Sequence, residues 1–289
     1  MSTSAVSRLS RLPGLRPLAL RALWLGRGID ITRPHPWAGG APMRLNLFRH
    51  KGYWFHGQRR EASTMAAFAR LLRPGMVAFD VGAHVGWVAA QFAHLVGPDG
   101  RVVAFEPGSN NLTYLRRNLA AFAQATIIEA AVGAEPGEAD LFEESLTGQN
   151  NALDAPYHRL EANAAMNPAD PSIVARPVRV TTLDEVAARS GLCPHLVKID
   201  VEGFELKVLQ GAQATLERAR PMLMVEVTRD SAAIRTLLQG LGYRLFQVRA
   251  DAILPLSGDS AMNFNVFALP QGRDPAPLLA PGDGPGGLG

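Results

Sequence analysis

The sequence predicts an α/β fold, in which a mostly parallel sheet is covered by helices on both faces. Short apolar runs alternate along the chain with segments of helical periodicity, which is typical of consecutive βαβ units. The composition suits a soluble globular domain, since 47% of the residues are hydrophobic and 19% are charged. Acidic residues, among them Asp80 and Glu106, stand at the ends of apolar runs. Ligands bind beyond the carboxyl ends of strands in such sheets, so these acids predict a binding site.

Seven apolar runs are predicted to be strands of one sheet. They are residues 76–80, 102–105, 126–132, 196–200, 222–227, 243–248 and 263–269. No helical segment separates the last two runs, so we expect them to form a terminal antiparallel hairpin. Residues 44–56 are predicted to form further short strands around Lys51-Gly52.

Helices are predicted where apolar residues recur at three- and four-residue spacing. These segments are residues 61–72, 85–96, 110–122, 183–188, 204–216 and 232–241. All but the first lie between predicted strands, as the crossover connections of a parallel sheet do. The predicted order of elements therefore describes one doubly covered sheet.

The first 43 residues are predicted to form a basic arm that is partly disordered and loosely attached. Residues 1–60 contain eleven Lys and Arg residues and one acidic residue, Asp30, whereas the rest of the chain has eighteen basic and twenty-five acidic residues. This mildly acidic body argues against nucleic-acid binding. Spaced arginines and leucines leave a weak membrane-surface contact of the arm open, but its apolar run is too short to span a bilayer.

The domain itself is predicted over residues 44–270, with residues 143–175 inserted over the mouth of the sheet. Residues 271–289 are rich in Pro and Gly and are predicted to be disordered. Cys193 is the single cysteine, which excludes an intrachain disulfide. A reducing, cytoplasmic location is the expectation that follows.

The segment "FDVGAHVGW" predicts the cofactor site. Asp80 ends a strand, and Gly82 and Gly86 let the following loop approach a ligand before a helix begins. Glu106 ends the next strand, where a carboxylate commonly binds ribose hydroxyls. The loop lacks the third glycine of a dinucleotide fingerprint and the lysine of a P-loop, so a nucleoside without a pyrophosphate is favoured. S-adenosylmethionine fits these demands, and His84 either contacts it or closes the loop.

The segment "LVKIDVEGFELKVLQGA" predicts a second cluster. Lys198, Asp200, Glu202 and Glu205 lie within eight residues, immediately after a buried strand. Three acids in such a place are costly unless they are solvated, paired or functional. Glu205 also has a structural explanation, because an acid in the first turn of a helix complements the helix dipole.

The chain resembles the FkbM family of S-adenosylmethionine-dependent methyltransferases. The resemblance is carried, in this order, by "FDVGAHVGW", "AFEP", "TTLDEV", "LVKIDVEGFELKVLQGA" and "PMLMVEV", within residues 61–269. It implies a class I, Rossmann-like methyltransferase fold and O-methylation of a hydroxyl on a small natural product, a sugar or a glycan. The residues that it implies for the cofactor are Asp80, Gly82, Ala83, Gly86 and Glu106, with His84 where asparagine is commoner. For the reaction site it implies Lys198, Asp200, Glu202 and Glu205.

An alcohol is a poor nucleophile at neutral pH, so we predict that Asp200, Glu202 or Glu205 removes its proton while Lys198 adjusts the local charge. A magnesium or calcium site at Asp200, Glu226 and Asn263 is the open alternative. Because Lys198 already offers a cation there, we predict a metal-free site. Two further functions remain open: a non-catalytic S-adenosylmethionine-binding or membrane-peripheral protein, and a nicotinamide-dependent dehydrogenase.

Overall fold

A computed structural model describes residues 24–144, 151–153, 173–249, 252–258 and 261–275. The chain begins there with a hairpin of β1 (Asp30–Pro34) and β2 (Pro42–Asn46), followed by helix α1 (Lys51–His56), a 3₁₀ turn (Gly57–Arg59) and α2 (Ala62–Leu71). Then come β3 (Val77–Val81), α3 (Trp87–Val96), β4 (Arg101–Phe105), α4 (Ser109–Leu119), β5 (Ala125–Ile128) and β6 (Ala131–Val132).

The second half has the same alternation. It contains β7 (Gly137–Glu144), β8 (Ile173–Thr181), α5 (Leu183–Ser190), β9 (Leu196–Ile199), α6 (Glu205–Gln210), α7 (Gln213–Arg218) and β10 (Met222–Glu226). The last elements are α8 (Ser231–Gly240), β11 (Tyr243–Arg249), β12 (Ala252–Pro255) and β13 (Asn265–Pro270). No helix in the described ranges is long and apolar enough to cross a membrane.

The main sheet confirms the predicted architecture. Its described strands follow the order β12-β11-β13-β10-β9-β3-β4-β5, and the neighbours from β10 to β5 pair in parallel. Strand β13 pairs antiparallel with both β11 and β10. The two runs predicted as a terminal hairpin, β11 and β13, are therefore antiparallel neighbours, but β12 lies between them in the chain. The sheet has one strand more than the seven predicted, because the short edge strand β12 pairs with β11.

Two apolar layers cover the faces of this sheet. Alternate strand residues point to opposite faces, so Phe79 and Phe105 pack in one layer, while Ala78 and Ala104 pack in the other. The alternation also places Asp80 on the Ala78 face, where the layer includes Phe92 of α3. A charged side chain in that position needs a buried partner.

The N-terminal boundary predicted at residue 44 is wrong. Strand β1 pairs with β2 over its whole length, from Asp30↔Asn46 to Pro34↔Pro42. His35 is fully buried, its Nε2 lies 2.8 Å from Trp87 O, and its ring stacks on the Trp87 indole. The domain therefore includes residues 30–43, while residues 1–23 of the predicted arm lie outside the described part of the chain.

Other element assignments also differ from prediction, and the strand predicted over residues 126–132 is divided between β5 of the main sheet and β6 of a second, smaller sheet. Residues 51–56 form helix α1 instead of a strand, because tertiary packing of Tyr53 against Trp87 outweighs the strand preference of this aromatic-rich segment. The predicted helix over residues 204–216 is broken into α6 and α7. At the break, a Cβ on Gly211 would lie 2.0 Å from Gly133 O, so this close backbone approach requires glycine there.

The predicted insertion over residues 143–175 overlaps a small second sheet. Strand β8 pairs antiparallel with β7 and parallel with β6, so both ends of the proposed insertion belong to strands. Ala152 bridges to Phe142 of β7, and residues 145–150 and 154–172 lie outside the described part of the chain. At the other terminus, Gln271 N donates to Gly242 O at 2.8 Å. The fold therefore continues past the predicted end at residue 270, and residues 276–289 are not described.

Candidate functional site

A cavity of about 270 Å³ opens at the carboxyl ends of β3, β4, β9 and β10. Its described wall is formed by loop and strand-end residues together with the N-terminal segment before β3. The polar members of this wall are Tyr53, Arg60, Glu61, His84, Glu106, Asn111, Asn151, Asp200, Glu202 and Glu226. The sequence prediction of a site at this edge of the sheet agrees with this position.

The loop after β3 has a positive φ and a close backbone approach at Gly82, both of which glycine permits. Gly82 has a φ of +78°, and a Cβ at this position would lie 1.9 Å from Asp200 O. His84 also has a positive φ, of 51°. Its backbone N–H donates to Glu106 Oε2 at 2.8 Å, and its Nδ1 is hydrogen-bonded to Tyr53 Oη at 2.9 Å. These contacts fix the loop between β4 and the N-terminal segment.

Glu106 connects this loop to the turn after β4. Its Oε1 accepts hydrogen bonds from Gly108 N at 2.9 Å and Asn111 Nδ2 at 3.1 Å, and its Oε2 accepts the bond from His84 N. The side chain is buried, and this burial raises the pKa of its carboxyl group above the usual value. A carboxylate oxygen has two lone pairs, so Oε2 can still accept a bond from a ligand hydroxyl.

Lys198 joins two strand-end acids. Its Nζ lies 3.1 Å from Asp80 Oδ1 and 3.3 Å from Asp200 Oδ2, and it donates to Gly82 O at 2.7 Å. Burial disfavours its charged form, but the charges of Asp200 and Asp80 outweigh burial and hold the Lys198 pKa above its usual value. Burial raises the Asp80 pKa despite this partner. Lys198 and Asp80 lie behind the cavity wall, whereas Asp200 lies on it.

Asp200 and Glu226 are neighbouring acids on the cavity wall. Their side chains are hydrogen-bonded to each other from adjacent parallel strands. The charge of Asp200, together with burial, raises the pKa of Glu226 to about 9. Burial acts to raise the Asp200 pKa, but the charge of Lys198 and the bond from Glu226 lower it overall. At neutral pH, Glu226 is therefore a hydrogen-bond donor and Asp200 is an anion.

The remaining acids of the second cluster occupy different environments. Glu202 lines the cavity and has a positive φ of 51°. Glu205 is buried off the wall, where Oε1 accepts from Gly203 N at 2.8 Å and Oε2 accepts from Thr228 Oγ1 at 3.1 Å. Burial raises the pKa of its carboxyl group. These contacts give Glu205 a role in holding the loop before α6.

Sequence reasoning placed some residues at the cavity and missed others. Gly82, His84 and Glu106 line it, whereas Ala83 and Gly86 lie behind it. Asn263 is exposed, and it is Asn265 that stands opposite Glu226 in the sheet register. The missed wall residues Tyr53, Arg60 and Glu61 precede the sheet and form no recognisable motif. The aromatic run "GYWFH" was the feature of the sequence that could have indicated that this segment contributes to the site.

Comparisons with known proteins identify relatives of this chain. A family model described as the methyltransferase FkbM domain matches residues 80–245. The 31-O-demethyl-FK506 methyltransferase FkbM of Streptomyces tacrolimicus is 30% identical over 193 residues, which cover 60% of this chain and 74% of that protein. A protein-L-isoaspartate O-methyltransferase of Aeropyrum pernix is 34% identical over 122 residues, covering 41% of this chain and only 42% of its own length.

A crystal structure of a methyltransferase FkbM from Methylobacillus flagellatus KT is also similar to this chain. The two share 14% sequence identity with a TM-score of 0.43, and the match covers 88% of this chain and 59% of the other.

The predicted cofactor, S-adenosylmethionine, is confirmed as that of the matched family. The residues present suit it. Glu106 retains acceptor capacity for ribose hydroxyls, a side chain at position 82 would disrupt the loop, and Asp200 offers a carboxylate to the positively charged end. Within the described ranges, no group of three or more His, Cys, Asp and Glu residues has a geometry that could hold a metal ion.

Proposed function

The chain belongs to the FkbM methyltransferase family, and from that premise we propose that it transfers a methyl group from S-adenosylmethionine to a hydroxyl group. The proposed acceptor is a small natural product, a sugar or a glycan. The observation that carries the choice of a hydroxyl is the Asp200–Glu226 pair, because it presents one anionic carboxylate on the cavity wall. An alcohol needs such a base, whereas a more acidic nucleophile would not.

The reaction divides into methyl donation and proton removal. The cofactor, when bound, supplies a methyl group activated by its sulfonium charge. Asp200 accepts the proton of the acceptor hydroxyl as its oxygen takes the methyl group from sulfur, which leaves as a neutral thioether, and Glu226 orients the Asp200 carboxylate through their hydrogen bond. Lys198 keeps Asp200 ionised and holds the Gly82 carbonyl, so the base and the cofactor loop are positioned by one ammonium group.

We further propose that the reaction needs no divalent metal. The ammonium group of Lys198 is 3.3 Å from Asp200 Oδ2, so it already balances the charge that a metal would neutralise. Asn265, which stands where an amide ligand would be needed beside Glu226, donates instead to Thr64 Oγ1 at 3.2 Å. Activity should survive exhaustive chelation. Loss on chelation with recovery on adding magnesium would reassign Asp200 as a metal ligand.

The test is transfer of labelled methyl from the cofactor to a panel of hydroxylated natural products, sugars and glycans. The purified full chain is compared with Asp200→Asn, and Asp140→Asn is the matched control, since Asp140 is an exposed aspartate of β7. We expect Asp200→Asn to slow transfer by roughly 10²–10⁴-fold while cofactor affinity changes much less. Cofactor binding without transfer to any hydroxyl would instead support a non-catalytic binding protein.

A further inference from the structure

The cavity wall carries many acids and few bases. In the part of the chain that the structure describes, the acidic side chains on the wall are Glu61, Glu106, Asp200, Glu202 and Glu226. Arg60 is the one Lys or Arg residue among these described lining residues. Lys198 lies nearby, but its ammonium group contacts Asp80 and the Gly82 carbonyl behind the wall. A positively charged group of a ligand can therefore pair with one of several acidic side chains on this wall. A negatively charged group can pair with Arg60.

Arg60 is held in place but retains donor capacity. Its guanidinium carbon lies 4.1 Å from the centroid of the Tyr53 ring, a cation–π contact. One terminal nitrogen forms an ion pair with Glu61 Oε1 at 3.1 Å, and the Arg60 side chain is only 22% exposed. Its Nε is buried and has no hydrogen-bond partner among the described residues. A buried guanidinium donor of this kind is stabilised when a ligand supplies an acceptor.

The aromatic platform under Arg60 is continuous with the cofactor loop. The Tyr53 ring stacks on the His84 imidazole at 5.7 Å between centroids, and the Tyr53 hydroxyl is hydrogen-bonded to His84 Nδ1. His84 in turn donates its backbone N–H to Glu106. Arg60, Tyr53 and the loop are thus one connected structure, and a ligand that contacts the loop lies within reach of the guanidinium.

S-adenosylmethionine carries a sulfonium, an ammonium and a single carboxylate. We propose that Arg60 binds this carboxylate of the methionine moiety; the inference rests on the proposed function, because it takes that cofactor as the ligand. Elsewhere the described wall offers a carboxylate only acidic or neutral side chains, and the nearby Lys198 is already paired with Asp80 and Asp200. The planar guanidinium matches a carboxylate in shape and offers two parallel donors to it. Arg60 lies outside residues 80–245 that match the family model, so that match does not assign this contact.

Calorimetry with two cofactor forms tests the proposal on the full chain. The probes are S-adenosylmethionine and its decarboxylated form, which keeps the adenosine, sulfonium and amine but lacks the carboxylate. Arg60→Met should weaken binding of the intact cofactor by roughly 10- to 150-fold and leave binding of the decarboxylated form nearly unchanged. Arg60→Lys should retain part of the preference for the intact cofactor over the decarboxylated form, since lysine keeps the positive charge but lacks the two parallel N–H donors of a guanidinium group. Arg59→Met is the matched control, because Arg59 is the exposed neighbour.

The outcomes separate the possible failures. If Arg60→Met weakens both probes equally, Arg60 acts by supporting Tyr53 and the proposal is wrong. If it weakens neither probe, Arg60 contacts the acceptor or nothing, and the proposal is equally wrong. Thermal melting of each variant checks that the fold is retained, and Arg60→Lys supplies the comparison if Arg60→Met does not fold. Failure of the unmodified chain to bind either probe would overturn the proposed function itself.

Discussion

Asp80 and Lys198 stand directly opposite each other on the adjacent parallel strands β3 and β9, and Lys198 Nζ lies 3.1 Å from Asp80 Oδ1. Both side chains are buried, and the same ammonium group contacts Asp200 and the Gly82 carbonyl. One buried cation thus connects the cofactor loop to the proposed base. This arrangement explains why the strand-end acids of the two predicted clusters belong to one site.

Removing the cation of this pair should be strongly destabilising. Lys198→Met leaves the Asp80 carboxylate buried with no compensating charge, and we expect the free energy of unfolding to fall by about 3–5 kcal/mol. Chemical denaturation measures the change. The double variant Asp80→Asn with Lys198→Met should recover much of the loss, and Lys207→Met, at an exposed lysine of α6, should have little effect. Unchanged stability of Lys198→Met would contradict the pair's structural importance.

Deletion of residues 1–40 should damage the fold, although the sequence predicted that the first 43 residues form a loosely attached arm. The deletion removes β1, the buried His35, and Asp30, which accepts a hydrogen bond from Tyr114 Oη at 2.7 Å. We expect the melting temperature to fall by roughly 10 °C. Deleting residues 1–23 is the control, because it removes none of the described residues. Equal melting temperatures for the two truncations would show that β1 contributes nothing.

The strand-end acids could be predicted from the sequence because each is recognised by its immediate neighbours along the chain. Asp80, Glu106 and Asp200 each end a short apolar run, and the carboxyl ends of neighbouring parallel strands necessarily meet at one edge. The hydrogen bond between Asp200 and Glu226 required the order of β9 and β10 in the sheet, which the sequence does not specify. Arg60 was missed for a similar reason, because its position depends on how the segment before β3 folds back over the cavity.

Two buried histidines should make the fold sensitive to acid. Burial lowers the pKa values of His35 and His50 to about 4, and their Nδ1 atoms accept hydrogen bonds from Trp37 N and Asn46 N. The unfolded chain binds protons at these two histidines near pH 6.5. The stability that the neutral buried rings contribute is therefore fully present above that pH and is lost as the pH falls toward 4. Protonation of the unfolded chain at each of these histidines should lower the free energy of unfolding by about 2 kcal/mol near pH 4.5.

Denaturation between pH 7.5 and pH 4.5 checks this expectation. The variants His35→Gln and His50→Gln should each lose less stability over this range than the unmodified chain, whatever their stability at pH 7.5. His56→Gln, at an exposed histidine, serves as the control. Parallel pH profiles for all four proteins would exclude the two buried rings as the cause.

Glu106→Ala should weaken cofactor binding through two effects. It removes the acceptor predicted for the ribose hydroxyls, and it removes the carboxylate that accepts hydrogen bonds from His84 N and Gly108 N. We expect a loss of about 1–3 kcal/mol in binding free energy, measured by calorimetry with S-adenosylmethionine. Glu138→Ala, at an exposed position of β7, is the control. Unchanged affinity of Glu106→Ala would overturn the assignment of Glu106 to the cofactor.

Glu226 should give methyl transfer an alkaline limit. Its pKa is raised to about 9, so the folded protein keeps this proton over a pH range in which the unfolded chain, with an ordinary pKa of 4.5, has lost it. Its contribution to stability is therefore present below pH 4.5 and declines as the pH rises toward 9. Ionisation near pH 9 also removes the donor that orients Asp200 and places a second negative charge beside it. We expect kcat/KM to fall above that pH.

The variant Glu226→Gln isolates this effect, because an amide donates a hydrogen bond to Asp200 at every pH. It should slow transfer at pH 7 less than Glu226→Leu, which has no donor, and its profile should lack the decline near pH 9. Glu217→Gln, at an exposed glutamate of α7, should keep the profile of the unmodified chain. An alkaline decline that persists unchanged in Glu226→Gln would show that another group titrates there. In that case the hydrogen bond between Glu226 and Asp200 would not control the base.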